Sequence, residues 1–428
     1  FRSDSSGKYD ELQKICKSAC SNVGLLKSSS KKVMLLSATP LNNRPDDIQN
    51  LLLLFQNSQS CTIDGIPNLK AFFTPLILEY KKIMSERDKT DITEIVDKIY
   101  EYIRKKVIDK VTIRRTRNNI ENDEEYRKDI GKQGIKFPKI LAPNELTYYM
   151  DADTNARFYE TLKQITDTKS DRNPNGKGLD YARYRAIEFL KTEYRDRYKN
   201  AEHIGQSLAG IYRVHTVKRL ESSFFAFKKS LATLLRITND MIKMFDEDKV
   251  IIAPELKVKD LQAKGMELDE IIEHAITKGY LKEDIVYPAN AFNPVFIKML
   301  YHDREILERL NKDWEQEHDD PKFDKFRENL TNNFFDSKIN VSGKLVIFSE
   351  SVDTLSYLYE RLTKELHRDD VLMVIAANRD KLKQVIDENF DANYDGEKKN
   401  DYNIIITSDV LAEGVNLHRS NVIINYDS

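Results

Sequence analysis

Lys344–Leu358 reads KLVIFSESVDTLSYL, and this stretch decides the fold class. A short apolar run, LVIF, gives way to a small polar turn. Leu355, Leu358, Tyr359 and Leu362 then recur at the spacing of one helix face. A strand apolar on both sides belongs inside a parallel sheet, where helices cover both faces. The alternation continues downstream. VLMVIAA at Val371–Ala377 predicts a second strand, Lys381–Phe390 a helix, NIIIT ending at Thr407 a third strand, and VIIN from Val422 a fourth. Strand and helix at this spacing predict βαβ units and an α/β fold class.

Working outward, Lys31–Pro40, KKVMLLSATP, predicts another buried strand ending in a polar turn. Pro45 suits a first helical turn, and Ile48, Leu51, Leu52 and Phe55 continue it as a helix. From there to about Phe245 the pattern is mainly helical, apart from an extended stretch at Phe137–Met150. Within it Lys218–Leu235, KRLESSFFAFKKSLATLL, predicts one helix whose buried stripe is Leu220, Phe224, Phe227, Leu231 and Leu234. Lys228 and Lys229 fall on its wet side, as a solvated face or as a nucleic-acid contact. Asp246–Asp320 is polar and weakly periodic and is expected as an insertion or linker.

A chain of 428 residues has room for two or three domains. With 40% hydrophobic and 32% charged residues it is globular rather than disordered, and no apolar run is long enough to span a bilayer. The start, FRSDSSGKYD, lacks the apolar segment of a signal peptide. Three cysteines, Cys16, Cys20 and Cys61, suggest reduced thiols in a cytoplasmic protein. Cys16 and Cys20 lie four apart on an expected helix, but no second pair or nearby histidine completes a zinc set, so no metal is expected. The net charge of −2 does not mark a nucleic-acid binder. Its distribution does more: Tyr181–Arg236 carries 12 basic against 5 acidic residues, and Asp246–Asp320 carries 10 against 19. A basic working surface beside an acidic insertion explains that asymmetry, and so do two solvated helical faces.

A nucleotide motor needs a Gly-rich loop with Lys and Ser/Thr for the phosphates, and an acidic strand end for Mg²⁺. Neither occurs in these 428 residues: Gly131-Lys132 is followed by Gln133 and Gly343-Lys344 by Leu345. Asp427 after VIINY is a lone carboxylate of the kind that caps a turn. Two other strings suit the carboxyl ends of parallel strands, where such sheets present their ligand loops. Ser37-Ala38-Thr39-Pro40 offers hydroxyls that can relay hydrogen bonds between a phosphate site and a neighbouring domain. In IIITSDVLAEGVNLHRSNVIINYD, Thr407 and Ser408 offer hydroxyls to a phosphate, and Gly414 admits close approach of a backbone. Asp409, Glu413 and Asn416 are candidates for domain closure and nucleotide contact.

In order, these segments resemble the Swi/Snf-type superfamily 2 helicase-like ATPases. SATPLNNRPDDIQNLLLLF is similar to motif III of that family and the helix after it, and IRRTRNNI (Ile113–Ile120) to its RRTK-like segment. Asp320-Pro321-Lys322-Phe323 is similar to the DPKL that opens the second RecA-like domain. KLVIFSESVDTLSYL resembles motif IV, and TSDVLAEGVNLHRSNVIINYD resembles motif V. KRLESSFFAFKKSL looks like an interdomain helix of bacterial relatives near the RNA-polymerase-recycling ATPase. AEGVNL in place of the RGxD of DEAD-box RNA helicases favours a double-stranded-DNA translocase.

The resemblance implies parts of two RecA-like parallel-sheet domains with a long, mainly helical intervening region. The expected divisions are 1–60, the end of the first RecA-like domain; 61–245, helical; 246–318, the insertion; and 319–428, the start of the second RecA-like domain. It also implies ATP and Mg²⁺ as cofactors, bound mainly by residues outside this chain, and nucleic acid as partner. Ser37, Ala38 and Thr39 would couple nucleotide state to domain closure, Glu413, Gly414 and Asn416 would line the nucleotide, and Ser349, Thr407 and Ser408 would meet the phosphate backbone. FRSDSSGKYDELQKIC looks like the stretch just after the family's DEAH box, and YDS precedes its motif VI, so an internal fragment, inactive alone, is expected. A restriction or phage-defence subunit, or a non-catalytic nucleic-acid-binding or scaffold module, are the alternatives.

Overall fold

The computed structural model describes residues 7–18, 32–36, 44–85, 93–113, 115–134, 137, 139–168, 176–195, 201–252, 286–412 and 414–427. The chain divides into two compact units, Phe1–Ala142 and Pro143–Ser428.

The first unit is helical. α1 (Gly7–Lys17) is tied to α2 (Pro45–Leu53) by Tyr9, whose hydroxyl donates to the Asn50 carbonyl, and by Gln13, which donates to that of Leu53. Pro45 opens α2 as expected, and Ile48 and Leu52 are buried against α3 (Leu69–Ser85) and α4 (Thr93–Ile103). Two short helices follow. α5 (Arg117–Asn122) is capped by Thr116 and α6 (Glu124–Lys132) by Asp123, each accepting a first-turn N–H. Val33–Leu36 forms no strand, contrary to expectation, and leaves Met34 85% and Leu36 92% exposed. A strand needs a neighbour for its backbone groups, and the described residues of this unit contain none.

The second unit has a helical part and a sheet. α7 (Ala152–Thr166), α8 (Ala201–Ser222), α9 (Phe224–Asp246) and α10 (Pro294–Glu315) surround one core, with the two-residue strands β1 (Val250–Ile251) and β2 (Val286–Tyr287) paired antiparallel at its edge. The stripe Leu220, Phe224, Phe227, Leu231 and Leu234 is buried, yet it spans two helices rather than one. Ser223 leaves helical geometry at φ −158°, ψ 148°, and its hydroxyl accepts from the Ala226 N–H to start α9. α10 lies in the interval expected as an insertion or linker, and its Phe296, Leu300, Leu307, Leu310 and Trp314 form a continuous buried face. Charged residues on its outer positions dilute that signal in the sequence.

Asp303 on α10 is buried, and its two oxygens accept the N–H groups of Asp180 (2.6 Å) and Ala182 (2.7 Å). This clamps Tyr181 at φ 52°, a left-handed conformation that a bulky residue adopts only when its surroundings impose it. Asp180, His302 and Asp303 bring potential metal-ligand atoms within 4.8 Å of one another, but the Asp303 oxygens already serve the backbone turn. Burial pushes the Asp303 carboxyl up to about 7, with Asp180 adding to the shift and the two N–H bonds opposing it. A carboxyl raised in the folded state stabilises it below the unfolded value of about 3.9, and that contribution is lost as pH rises through about 7. Urea midpoints of the wild type should therefore carry a component that declines across this window and that Asp303→Asn lacks. Parallel pH profiles for the two proteins would refute it.

The sheet is built from β3 (Leu345–Phe348), β4 (Val371–Val374), β5 (Ile404–Thr407) and β6 (Val422–Asn425), all parallel and in the order β4-β5-β3-β6. Three strand positions match the sequence expectation closely; β4 stops short of the expected Ala377. Side chains alternate across the pleat. Leu345 and Ile347 pack with α11 (Pro321–Asn332) and α12 (Val352–Glu360), and Val346 and Ile405 pack with α13 (Arg379–Phe390) on the other face. The chain runs from β3 past β5 to β4, then back to β5. Right-handed crossovers in opposite directions put α12 and α13 on opposite faces, giving three layers. On α12, Tyr357 rather than Tyr359 faces inward, stacking on Phe225 at 5.2 Å.

Candidate functional site at the carboxyl rim of the sheet

Because the four strands are parallel, their carboxyl ends form one rim: Ser349, Ile375, Ser408 and Tyr426 follow β3, β4, β5 and β6. Backbone bonds hold the rim together. The Ser349 N–H donates to the Thr407 carbonyl at 3.1 Å and the Tyr426 N–H to that of Phe348 at 2.8 Å. Sheet pairing thus juxtaposes Ser349 and Thr407 from segments far apart in sequence.

Asp427 is the hub. One carboxylate oxygen accepts from the Ser349 hydroxyl at 2.6 Å and from the Ser222 hydroxyl, and the other accepts the Glu350 N–H at 2.9 Å. The lone carboxylate read as a turn residue therefore ties β6, the loop after β3 and the α8–α9 junction together. Ser222 and Ser223 both lie within hydrogen-bond distance of the buried Thr354 hydroxyl, at 2.7 and 3.0 Å. Buried Arg219 donates to Ser351, the residue that caps α12 by accepting the Thr354 N–H.

Lys322 completes the joint from below. Its ammonium donates to the Glu221 and Ser222 carbonyls, both at 2.9 Å, and lies 4.6 Å from the Tyr426 ring centre. Burial pulls its pKa down to about 8, opposed by Asp427, Asp320 and Glu221. Within the same DPKF string Asp320 caps α11 through the Phe323 N–H and accepts from the Tyr357 hydroxyl at 2.7 Å. These residues brace the helical part against the sheet.

The expected phosphate-side residues are brought together here, with their hydroxyls turned inward. Ser349 bonds Asp427. Thr407 is fully buried and donates to the Ser408 carbonyl at 3.1 Å, and the Ser408 hydroxyl accepts the Val410 N–H at 3.5 Å. On the nucleotide side, Gly414 is exposed at φ 73°, and a side chain there would come within 3.8 Å of the Arg379 guanidinium at the start of α13. Asn416 is exposed and donates to Asp391 at 3.3 Å. Ser37, Ala38, Thr39 and Glu413 lie outside the described residues, as does Cys20. Lys228 donates to the Glu317 carbonyl, and Lys229 lies 2.5 Å from Asp353.

Arg219, Ser222 and Arg379 are rim residues that the motif strings do not single out. The Ser222-Ser223 pair inside an apolar helical stripe is a capping signal and marks the break where the joint forms. Arg219 and Arg379 carry no local signal.

Among the described residues no helix is long and apolar enough to cross a membrane. No curated protein matches the chain. Residues 309–428, which contain α11 to α13 and the whole parallel sheet, match the family model of the helicase conserved C-terminal domain, and this supports a helicase-like superfamily 2 protein.

Proposed function

We propose that the chain is part of a Swi/Snf-type, ATP-dependent motor that translocates on double-stranded DNA in the cytoplasm. The observation that carries this reading is the helicase C-terminal domain with Ser349 bonded to the Thr407 backbone at its rim, the DPKF segment near its start and the SATP and RRTR segments before it in order. The divisions at residues 60, 245 and 318 belong to the same proposal.

Gly414, the Arg379 guanidinium beside it and the Asn416 amide suit one wall of a nucleotide pocket. No Gly-Lys-Ser/Thr loop or acidic box in the sequence supplies the phosphate and Mg²⁺ cradle. When bound with Mg²⁺, ATP would supply the free energy of the cycle through its hydrolysis; Glu413, Gly414 and Asn416 would line it, and Ser37, Ala38 and Thr39 would transmit its state. Ser349, Thr407 and Ser408 shape the rim that faces the phosphate backbone, assisted by Lys229. Lys228 is spent on the Glu317 carbonyl, which favours an internal role for it.

Two measurements on the 428-residue chain test this. ATP turnover with duplex DNA and Mg²⁺ should stay at the level of a mock-purified control. The missing phosphate loop and metal box outweigh even an arginine finger, whose contribution alone is about 10³-fold or more. Duplex binding should be independent of sequence and fall steeply with salt. Robust turnover would overturn the assignment of phosphate chemistry to residues outside the chain. Absence of duplex binding at low salt would overturn the nucleic-acid role.

A further inference from the structure

The basic face of α8 and α9 is not bare. Lys218 lies 2.6 Å from Glu350 and Lys229 lies 2.5 Å from Asp353, so two lysines of the basic helical segment are matched by two carboxylates flanking the capping residue Ser351. The Lys218 and Glu350 side chains are 50% and 62% exposed. Exposed pairs of this kind contribute about 0–1 kcal/mol, too little to hold the joint. Its bonds are the buried ones from Ser222 to Thr354 and from Ser349 to Asp427, which do not depend on these pairs.

A nucleic-acid backbone presents a denser row of negative charge than two carboxylates and releases counterions when cations bind it. It therefore competes for the same lysines on favourable terms. We infer that Glu350 and Asp353 act as an internal stand-in for the nucleic-acid backbone, occupying Lys218 and Lys229 until phosphates replace them. The exchange releases one tether of the loop Ser349–Ser351, through Glu350, and one at the start of α12, through Asp353, while the hydroxyl bonds keep the joint assembled. It also reconciles a basic helical segment with a chain whose net charge is −2: the cations are held in reserve by the neighbouring domain.

This inference rests on the nucleic-acid reading above, and the test separates the two. Binding of a short mixed-sequence DNA duplex would be measured over a salt series for the wild type, Glu350→Gln and Asp353→Asn. Each variant frees one lysine from its competitor. Each should bind more tightly at low salt, with affinity falling about threefold further than wild type between about 50 and 200 mM salt. Lys218→Ala placed in the Glu350→Gln background should abolish that variant's gain. If wild type binds and Glu350→Gln shows the same affinity and slope, the stand-in role is overturned and the nucleic-acid reading survives. If the duplex binds none of the proteins at about 50 mM salt, where phosphate contacts are strongest, both fall. Should Asp353→Asn fail to fold because buried Arg219 also neighbours Asp353 at 3.7 Å, Glu350→Gln decides alone, since Glu350 is exposed.

Discussion

Trp314→Ala should destabilise the second unit by about 3–5 kcal/mol, a large part of the 5–15 kcal/mol that holds a typical domain together. Trp314 is fully buried near the end of α10, with Phe224 and Phe227 of α9 edge-on at 4.8 and 5.2 Å. Its indole N–H donates to the Thr161 hydroxyl on α7 at 2.9 Å, so one side chain fastens three helices. Truncation leaves a cavity and removes a buried donor together. Trp314→Phe keeps most of the volume and should cost about 1–3 kcal/mol, set by the hydroxyl left without that donor. As the only tryptophan of the chain, its fluorescence reports this core directly in the wild type. Urea midpoints followed by circular dichroism compare all three proteins at constant slope. A loss below about 1 kcal/mol for Trp314→Ala would mean that the three helices do not share this core.

The sheet was legible because each strand carries its evidence locally. Leu345–Phe348 and Ile404–Thr407 are apolar runs bounded by turns and buried on both faces, and the edge strand Val422–Asn425 carries the same apolar signal although Ile423 is exposed. The core face of α10 was less legible, since Phe296, Leu300, Leu307 and Trp314 share the helix with Arg304, Glu305, Glu308 and Arg309, and composition reports both faces at once. Strand pairing sets Phe348 opposite Thr407, and the Ser349 N–H bond to the Thr407 carbonyl then brings the two candidate site residues together. What the motifs could not convey is where a hydroxyl points. The inward turn of Ser349 depends on Asp427, 78 residues away, and on Ser222, whose meaning comes only from the break between α8 and α9. Val33–Leu36 failed in the opposite direction: a good local strand signal had no neighbour among the described residues to pair with.

Glu317→Ala should cost about 3–5 kcal/mol, because it leaves two cations beside each other with no carboxylate between them. Glu317 sits in the connection from α10 to α11 with its side chain only 6% exposed. One oxygen accepts from Arg157 and from the Thr154 hydroxyl of α7 at 3.0 Å, and the other accepts the Asp319 N–H at 3.1 Å. Lys228 reaches the carbonyl of the same residue, and burial lowers its pKa, with Glu317 opposing the fall and Arg157 adding to it. Removing Glu317 therefore takes from Lys228 one of the two carboxylates, Asp320 being the other, that oppose this fall, as well as unpairing Arg157. Arg157→Ala should cost less, since Arg157 is 27% exposed and its partner keeps other donors. The double variant should recover part of the loss, giving a coupling energy of about 0.5–3 kcal/mol in a double-mutant cycle. Additive losses would show that the two groups do not interact. Lys228→Ala in the same series separates its two roles: lost stability with an unchanged DNA salt slope assigns the lysine to this cluster, and a slope reduced by roughly one unit at unchanged stability assigns it to the phosphate backbone. Its bond to a main-chain carbonyl makes the first outcome the expected one.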